Sequence, residues 1–433
     1  MPSNWNRLPR VNHARVLEWP DRAAALPASA APLLAQGSGR SHGDACLNAG
    51  GTLLLTGGMD RLIAFDRRTG VVECEAGMRV GDLLAWSVPQ GWMLPVVPAT
   101  QFVSLGGAVA NDIHGRNHRV VGSFGRHVIG LELRRSDGER LWVGPKQQRE
   151  LFAATVGGLG LTGLMTRIRL QMTPICNAFM LTERHRFPDL EAYWELNDRL
   201  GTDWPYGVAW IDCLARGSRL GRGVFLTGRH APPQPASASL PRGRSRSRTV
   251  PFELPGWVLN RHGVRAFNQL YFRLGARPGP RLRHYERYLF PLDGLRDWNR
   301  IYGRRGFYRY QCVLPPDTAR DGIRTLLRRI AASRQGACLA LLKRFGHLHS
   351  PGLLSFPRPG VTLALDFTDQ GSRTRSLFAD LDDVVSAAGG ALEPGQDARM
   401  SVTLFRRGFP NWERFAPFVD PAFSSSFWRR MNP

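Results

Sequence analysis

Three glycine-rich stretches, at residues 35–51, 97–128 and 157–163, decide what the N-terminal part of this chain can fold into. The first, "AQGSGRSHGDACLNAGG", offers Gly37, Gly39 and Gly43 after a short apolar run. A Rossmann turn must open a long helix whose N-terminus faces a pyrophosphate. The continuation here, with Asn48, Gly50 and Gly51, is a poor helix. The third stretch, "VGGLGLTG", contains a formal GxGxxG at Gly158, Gly160 and Gly163, yet it runs into the strand-like "LMTRIRL". The second carries Gly106, Gly107, Gly115, Gly122 and Gly125. Glycine lets backbone approach closely, and clustered N–H groups form nests for anionic groups. The competing reading of each loop is a tight turn in a strand-rich fold.

Between these loops the apolar pattern sets the fold class. "PLLAQ", "GTLLLTG" and "GVVECEAG" are short runs bounded by Gly, Asn and Asp, which predicts strands. "RVGDLLAWSVPQGWML" predicts a helix opened by Asp82 and closed by Pro89-Gln90-Gly91. "HVIGLELRRSDGERLWVG" predicts a hairpin about Ser136-Asp137-Gly138, and "LTGLMTRIRLQMTP" alternates up to Pro174. Beyond it, "FPDLEAYWELNDRL" predicts a helix. Residues 229–248 are Pro/Ser/Arg-rich and read as a flexible surface loop, or as an arginine comb for acidic lipid headgroups. "FYRYQCVLP", "ACLALLKRFG" and "GVTLALDF" predict strands, and "TARDGIRTLLRRIAAS" and "SRTRSLFADLDDVVSAAGG" predict helices. That order suits an antiparallel sheet backed by helices, so the chain as a whole reads as α+β.

Apolar residues form 43% of the 433, enough for a packed core. No run approaches the ~18 apolar residues of a spanning helix, and the N-terminus lacks the apolar stretch of a cleaved signal. Cys46, Cys74, Cys176, Cys213, Cys312 and Cys338 show no CxxC spacing, which predicts neither a metal cluster nor a disulfide framework. A reduced, cytoplasmic setting follows. The net charge of +23 favours phosphorylated substrates or acidic lipid surfaces. Nucleic acid is not expected, because no zinc finger, RNP motif or basic heptad helix is present. Of 58 basic residues only Lys146 and Lys343 are lysines. Arginine cannot release its proton near neutral pH, so a lysine kept under this bias points to amine chemistry. Lys343 lies in an apolar strand, where burial lowers a lysine pKa; the alternative is a snorkelling side chain at a sheet edge.

"GSGRSHGD", "PATQFVSLGGAVANDIHGRNH", "GSFGRHV" and "ATVGGLGLTG" resemble the flavin-binding domain of the vanillyl-alcohol-oxidase/PCMH superfamily. With "VRAFNQLYFR", "FPLDGLRDWNRIYGRRGFYRYQCVLP", "LLKRFG" and "LSFPRPG", the chain resembles in particular the bacterial decaprenylphosphoryl-ribose oxidase family. The resemblance implies a PCMH-type, two-subdomain FAD-binding domain over 1–172. It also implies a substrate (cap) domain over 173–388 and a segment, 389–433, returning to the FAD domain. It places Gly37, Ser38, Gly39, Arg40, Ser41, His42, Gly43 and Asp44 on the FAD pyrophosphate. Pro98, Ala99, Thr100, Val103, Ser104, Gly106, Gly107, Asn111, His114, Gly115 and Asn117 would line the isoalloxazine, with Gly122 and Ser123 following. Gly158, Gly160 and Gly163 would pack on the cofactor's other side, and Gln396 would meet the flavin.

The same resemblance gives Lys343, His114 and Gln311 catalytic roles, with Asn117 and His118 holding their loop. The implied reaction oxidises a secondary sugar hydroxyl to a ketone, with hydride passing to flavin N5. The implied substrate is a polyprenyl-phospho-ribose-like lipid-linked sugar, handled at the inner membrane face, with a partner reductase completing an epimerisation. Strand alternation leaves Tyr310 as core and puts Arg309 on the Gln311 side, where it meets a phosphate or solvent. Several positions depart from the family. His42 stands where tyrosine is usual, and related aldonolactone and alditol oxidases link FAD covalently through a histidine there. Gln396 replaces a lysine, a loss for which Arg399 or His42 is the expected compensation. Ala364 replaces a cysteine found in some members, and Leu289 replaces a pocket tyrosine. Two alternatives stand beside the main reading. One is a soluble sugar-lactone or polyol oxidase with His42-linked FAD. The other is a flavin-free basic protein that binds membrane or nucleic acid.

Overall fold

Short apolar runs between glycine turns form the first two sheets. The computed structural model describes residues 2–432 apart from 202, 234–246 and 257. Strands β1 (Arg15–Glu18), β2 (Leu33–Gln36) and β3 (Thr52–Leu55) pair in parallel, in the order β1-β3-β2. Strands β4 (Leu62–Asp66), β5 (Val71–Glu75), β6 (Val128–Arg134), β7 (Arg140–Val143) and β8 (Leu164–Gln171) form an antiparallel sheet in the order β4-β5-β8-β6-β7. Alternation splits this sheet into two faces. Val72, Cys74, Leu131, Leu133 and Ile168 are buried with Leu83 and Leu84 of helix α1 (Val80–Ser87) and Val109 of α2 (Leu105–Ala110). On the other face Arg169 reaches Glu73 at 2.6 Å and Arg167 reaches Glu132 at 2.7 Å, a cross-strand charge ladder beside Trp142.

The second half is built on one eight-stranded antiparallel sheet. Its strands are β9 (Phe179–Phe187), β10 (Tyr206–Ile211), β11 (Gly223–His230), β12 (Arg277–His284), β13 (Phe307–Leu314), β14 (Ala340–Phe345), β15 (Gly360–Thr368) and β16 (Ala391–Leu392). Their order is β12-β9-β11-β10-β14-β15-β13-β16. The sequence pattern predicts β13, β14 and β15; β9 to β12 widen the sheet beyond that expectation. Helices α3 (Leu190–Leu200), α4 (Arg261–Leu274), α5 (Pro316–Ser333) and α6 (Ser372–Ala387) accompany it. Asp189 caps α3 by accepting from the Ala192 amide at 2.9 Å. Ile323, Leu326, Leu327 and Ile330 of α5 and Leu377, Phe378 and Leu381 of α6 bury against Leu342, Cys312, Leu363 and Leu365. The opposite face of the same strands carries Lys343, Gln311, Thr362 and Ala364, since Lys343 pairs with Thr362 and Gln311 with Ala364.

Residues 234–246 of the Pro/Ser/Arg-rich stretch lie outside the described residues. Its ends are not loop: Arg229 and His230 finish β11, and Arg248–Thr249 pairs in parallel with Leu295–Arg296. The chain after Gly389 meets both halves. Ala391–Leu392 adds to the edge of β13, and the Leu33 amide further on donates to the Ala422 carbonyl at 2.7 Å. The Arg430 guanidinium forks onto the buried Asp44 carboxylate at 2.9 and 2.8 Å. Gly43 lies so close to this segment that a Cβ there would sit 1.9 Å from the Asp397 carbonyl oxygen. A Gly43→Ala protein is therefore expected to lose about 3 kcal/mol of unfolding free energy, measured by urea titration; an unchanged midpoint would show that the seam is loose.

Candidate active site

The three glycine loops converge on one cleft of about 940 Å³. Gly37, Ser38, Gly39, Arg40 and Ser41 enter it from the turn after β2. Val103, Ser104, Gly106, Gly107 and Asn111 enter from α2 and its approach, and Gly160 and Gly163 from the turn before β8. Gln396, on the 3-10 turn Pro394–Gln396, closes one side. The first two loops pack closely: a Cβ on Gly37 would fall 2.1 Å from Ser104 Oγ. Gly160 holds φ +76° with open space where a Cβ would go, a backbone conformation that side chains rarely adopt. Arg40 stacks over Trp5 and Phe102 at 4.1 and 4.8 Å, and burial lowers its pKa. Asn111 Oδ1 and Gln396 Oε1 line the cleft, buried and without a hydrogen-bond partner in the protein. Orphan acceptors in a glycine-walled cleft fit a ligand that supplies the missing donors.

Beside the cleft, four polar side chains meet in a partly buried cluster. Ile113 lines the cleft, and the next residue, His114, stands between Lys343 Nζ at 3.0 Å on Nδ1 and Gln311 at 3.2 Å on Nε2. Glu393 Oε2 lies 3.8 Å from His114 Nε2. Phe345 closes the cluster edge-on to the imidazole at 4.7 Å. Burial pushes the Lys343 ammonium down to about 7, against the pull of Glu393. Burial likewise pushes the Glu393 carboxyl up to about 7, opposed by Lys343 and Arg309. His114 is held well below its usual value by burial and by the charge of Lys343, so it is neutral. Lysine only donates as an ammonium, so Nδ1 of a neutral His114 accepts and the ring proton sits on Nε2. Gln311 stands with Nε2 toward His114 Nε2, so a proton on that ring nitrogen requires the amide to present its oxygen there instead. His118 supports the loop, accepting from the Gly346 amide at 3.3 Å, and burial pushes its pKa down to about 3.

Other expected residues stand elsewhere. Asp44 is turned away from the cleft onto Arg430, and Gly43 packs on Asp397. Pro98, Ala99 and Thr100 are not in the cleft wall; the adjoining Gln101 amide donates to Asp293 at 2.7 Å. Asn117 donates to the Pro95 carbonyl at 2.8 Å, which fixes the loop around Gly115. Gly122 follows the short helix His118–Val121 with φ +75°, Ser123 pairs by backbone with His114, and Gly158 packs on the Ala154 carbonyl. The His42 ring is buried 5.6 Å from Phe307, with Gln396 beside it. Burial and then Arg309 hold it well below its usual pKa.

Arg309 is partly exposed, and its guanidinium is forked onto the buried Asp366 at 2.7 and 2.8 Å. Arg399 is likewise held by Asp382 and stacked over Phe378, so it does not stand in for the lysine replaced by Gln396. Tyr310 is core, as alternation predicts, with its hydroxyl donating to Asp382 at 3.1 Å. Ala364 shares the Gln311 face and Leu289 is buried in the adjoining core. The sequence reading missed Glu393 and the cleft-lining Cys46, Thr56, Ala76 and Met165. Glu393 carried one signal: it stands three residues before Gln396 in the same short "LEPGQ" turn.

Comparison with known proteins fits this geometry. A family profile described as FAD binding domain matches residues 21–144. Decaprenylphosphoryl-β-D-ribose oxidase of Mycolicibacterium smegmatis is 31% identical over 415 residues, covering 92% of this chain and 89% of that protein. An uncharacterized protein of Streptomyces coelicolor is 35% identical over 367 residues, covering 80% of this chain and 97% of that protein. D-arabinono-1,4-lactone oxidase of Eremothecium gossypii is 26% identical over 174 residues, 37% of this chain and 30% of that protein. The cofactor is FAD, which the glycine-walled cleft with its orphan acceptors fits, and the flavin-free alternative is set aside. The chain is an FAD-dependent oxidoreductase and belongs to the decaprenylphosphoryl-β-D-ribose oxidase family within the vanillyl-alcohol-oxidase/PCMH superfamily.

Proposed function

We propose that this enzyme oxidises a secondary hydroxyl of a sugar carried on a lipid phosphate, of the polyprenyl-phospho-ribose class, to the ketone. The observation that carries the reading is the partly buried Lys343–His114–Gln311–Glu393 cluster beside the glycine-walled cleft. FAD supplies the two-electron acceptor when bound. Gly37, Ser38, Gly39, Arg40 and Ser41 would hold its diphosphate with backbone amides, and Gln396 and Asn111 would supply acceptors toward its ring. Lys343 Nζ, once neutral, takes the hydroxyl proton of the sugar. His114 Nδ1 accepts a hydrogen bond from that amine and fixes its direction, while Nε2–H rests on Gln311. Glu393 keeps the protonated amine compensated. Burial lowers the Lys343 pKa and raises that of Glu393, so the two groups titrate as a coupled pair.

The relative from Mycolicibacterium smegmatis, named for decaprenylphosphoryl-β-D-ribose, supports the substrate class. A second reading, a sugar-lactone or polyol oxidase with covalently held FAD, is favoured by one observation. His42 is buried and neutral, beside Gln396. Yellow colour that stays with acid-precipitated polypeptide supports that link; colour left in the supernatant removes it.

Anaerobic bleaching of the flavin across lipid-linked sugars, phospho-sugars, polyols and lactones tests the main reading: bleaching by the lipid-linked phospho-sugar is expected, and bleaching by lactones alone overturns it. Lys343→Arg is expected to retain flavin absorbance and to slow bleaching at least about 100-fold. Since the amine form is needed and Lys343 titrates at about 7, the bleaching rate is expected to rise about tenfold from about pH 6 to about pH 8. Glu393 raises the Lys343 pKa, so Glu393→Gln should move that midpoint to lower pH; a midpoint that stays put would detach Glu393 from the cluster.

A further inference from the structure

A second cavity, of about 1040 Å³, opens on the substrate half and is lined by Arg216, Arg219, Arg222, Arg261, Arg265 and Arg334. It shares no lining residue with the flavin cleft. Its one carboxylate, Asp212, is already used, by Arg222 at 2.7 Å and by Asn268 at 2.9 Å. Arg222 also donates to Gln269 at 2.7 Å, and Arg216 donates to the Ala331 carbonyl. Among the described residues, the side chains of Arg219, Arg265 and Arg334 make no hydrogen bond or ion pair. Arg334 ends α5 in the left-handed conformation, φ 61°, a place where glycine is the usual solution. So many guanidinium groups facing one space repel one another unless an anion sits among them.

The helix that borders this cavity has a second unusual feature. Along α4, Arg265 and Gln269 line the cavity on one flank. Phe267, Leu270 and Leu274 run along the other, 44%, 58% and 65% exposed. The ridge between them carries Ala266 and Arg273, both exposed. The inner side, Val264 and Asn268, is buried, and Tyr271 rests on Trp210 at 4.5 Å. The helix is therefore anchored while it keeps a contiguous apolar strip in solvent, which monomeric proteins rarely do. An arginine pocket and an apolar strip flanking one outer ridge match a surface with phosphate above and hydrocarbon below.

We propose that α4 and its arginine pocket form a seat on an anionic bilayer: a lipid phosphate enters the pocket, and Phe267, Leu270 and Leu274 enter the acyl boundary. The site is independent of the substrate reading above. The test is co-sedimentation of the FAD-loaded full chain with phosphatidylcholine vesicles, with and without phosphatidylglycerol. Binding only to the phosphatidylglycerol vesicles is expected. Arg219→Gln with Arg265→Gln should weaken it about 30-fold, and Leu270→Ser with Leu274→Ser at least about tenfold. Flavin absorbance and bleaching by a dissolved substrate should be kept in both. Unchanged vesicle affinity in either double variant overturns the proposal. So does saturable binding of inorganic pyrophosphate by a wild-type chain that ignores vesicles, which would make the pocket a site for soluble phosphates.

Discussion

Everything at the active site hangs on a seam in which two distant pieces of chain touch backbone to backbone. Gly43 presses on the Asp397 carbonyl, the His42 amide donates to the Gly395 carbonyl at 3.2 Å, and Arg430 forks onto Asp44. Burial raises the Asp44 pKa, and Arg430 opposes that shift by pairing with the carboxylate. A buried carboxylate without such a partner is costly, so the pair resists separation of the two segments even where it adds little net stability. The glycine loop that walls the cleft and the turn that carries Glu393 and Gln396 are thereby one wall.

The eight-stranded sheet supplies the rest through alternation alone. One face is apolar and takes α5 and α6; the other presents Lys343, Gln311, Thr362, Ala364 and the Arg309–Asp366 pair. In a chain of net charge +23, a buried lysine would ordinarily be pushed far from protonation by its neighbours. Asp366 satisfies Arg309, which leaves Glu393 to balance Lys343. The result is an amine poised near neutrality, held in place by a neutral imidazole.

Much of this was legible in the residues because local rules governed it. The glycine loops failed the Rossmann test on what followed them, and the strands and helices from 307 to 387 followed their periodicity. Lys343 stood out because arginine had replaced nearly every other basic residue. What stayed hidden was set by long-range contact. "FMLTERHRF" reads as polar through its middle, yet β9 is held between β11 and β12. The fate of Arg309 was decided by Asp366 across the sheet, and that of Arg399 by Asp382 on α6. Asp44 looked like part of the cradle until Arg430, 386 residues away, claimed it. Apart from its nearness to Gln396, Glu393 was hidden for the same reason, since its neighbours Lys343 and His114 come from other elements.

The turn Pro394–Gln396 has a consequence for how such enzymes diverge. The residue that leads into it, Glu393, faces His114, and its last, Gln396, faces the glycine-walled cleft, with a single short arc between them. An insertion or a reshaped bend there displaces both at once. A change of length or bend in this arc is therefore expected to alter the cleft wall and the surroundings of Lys343 in a single step.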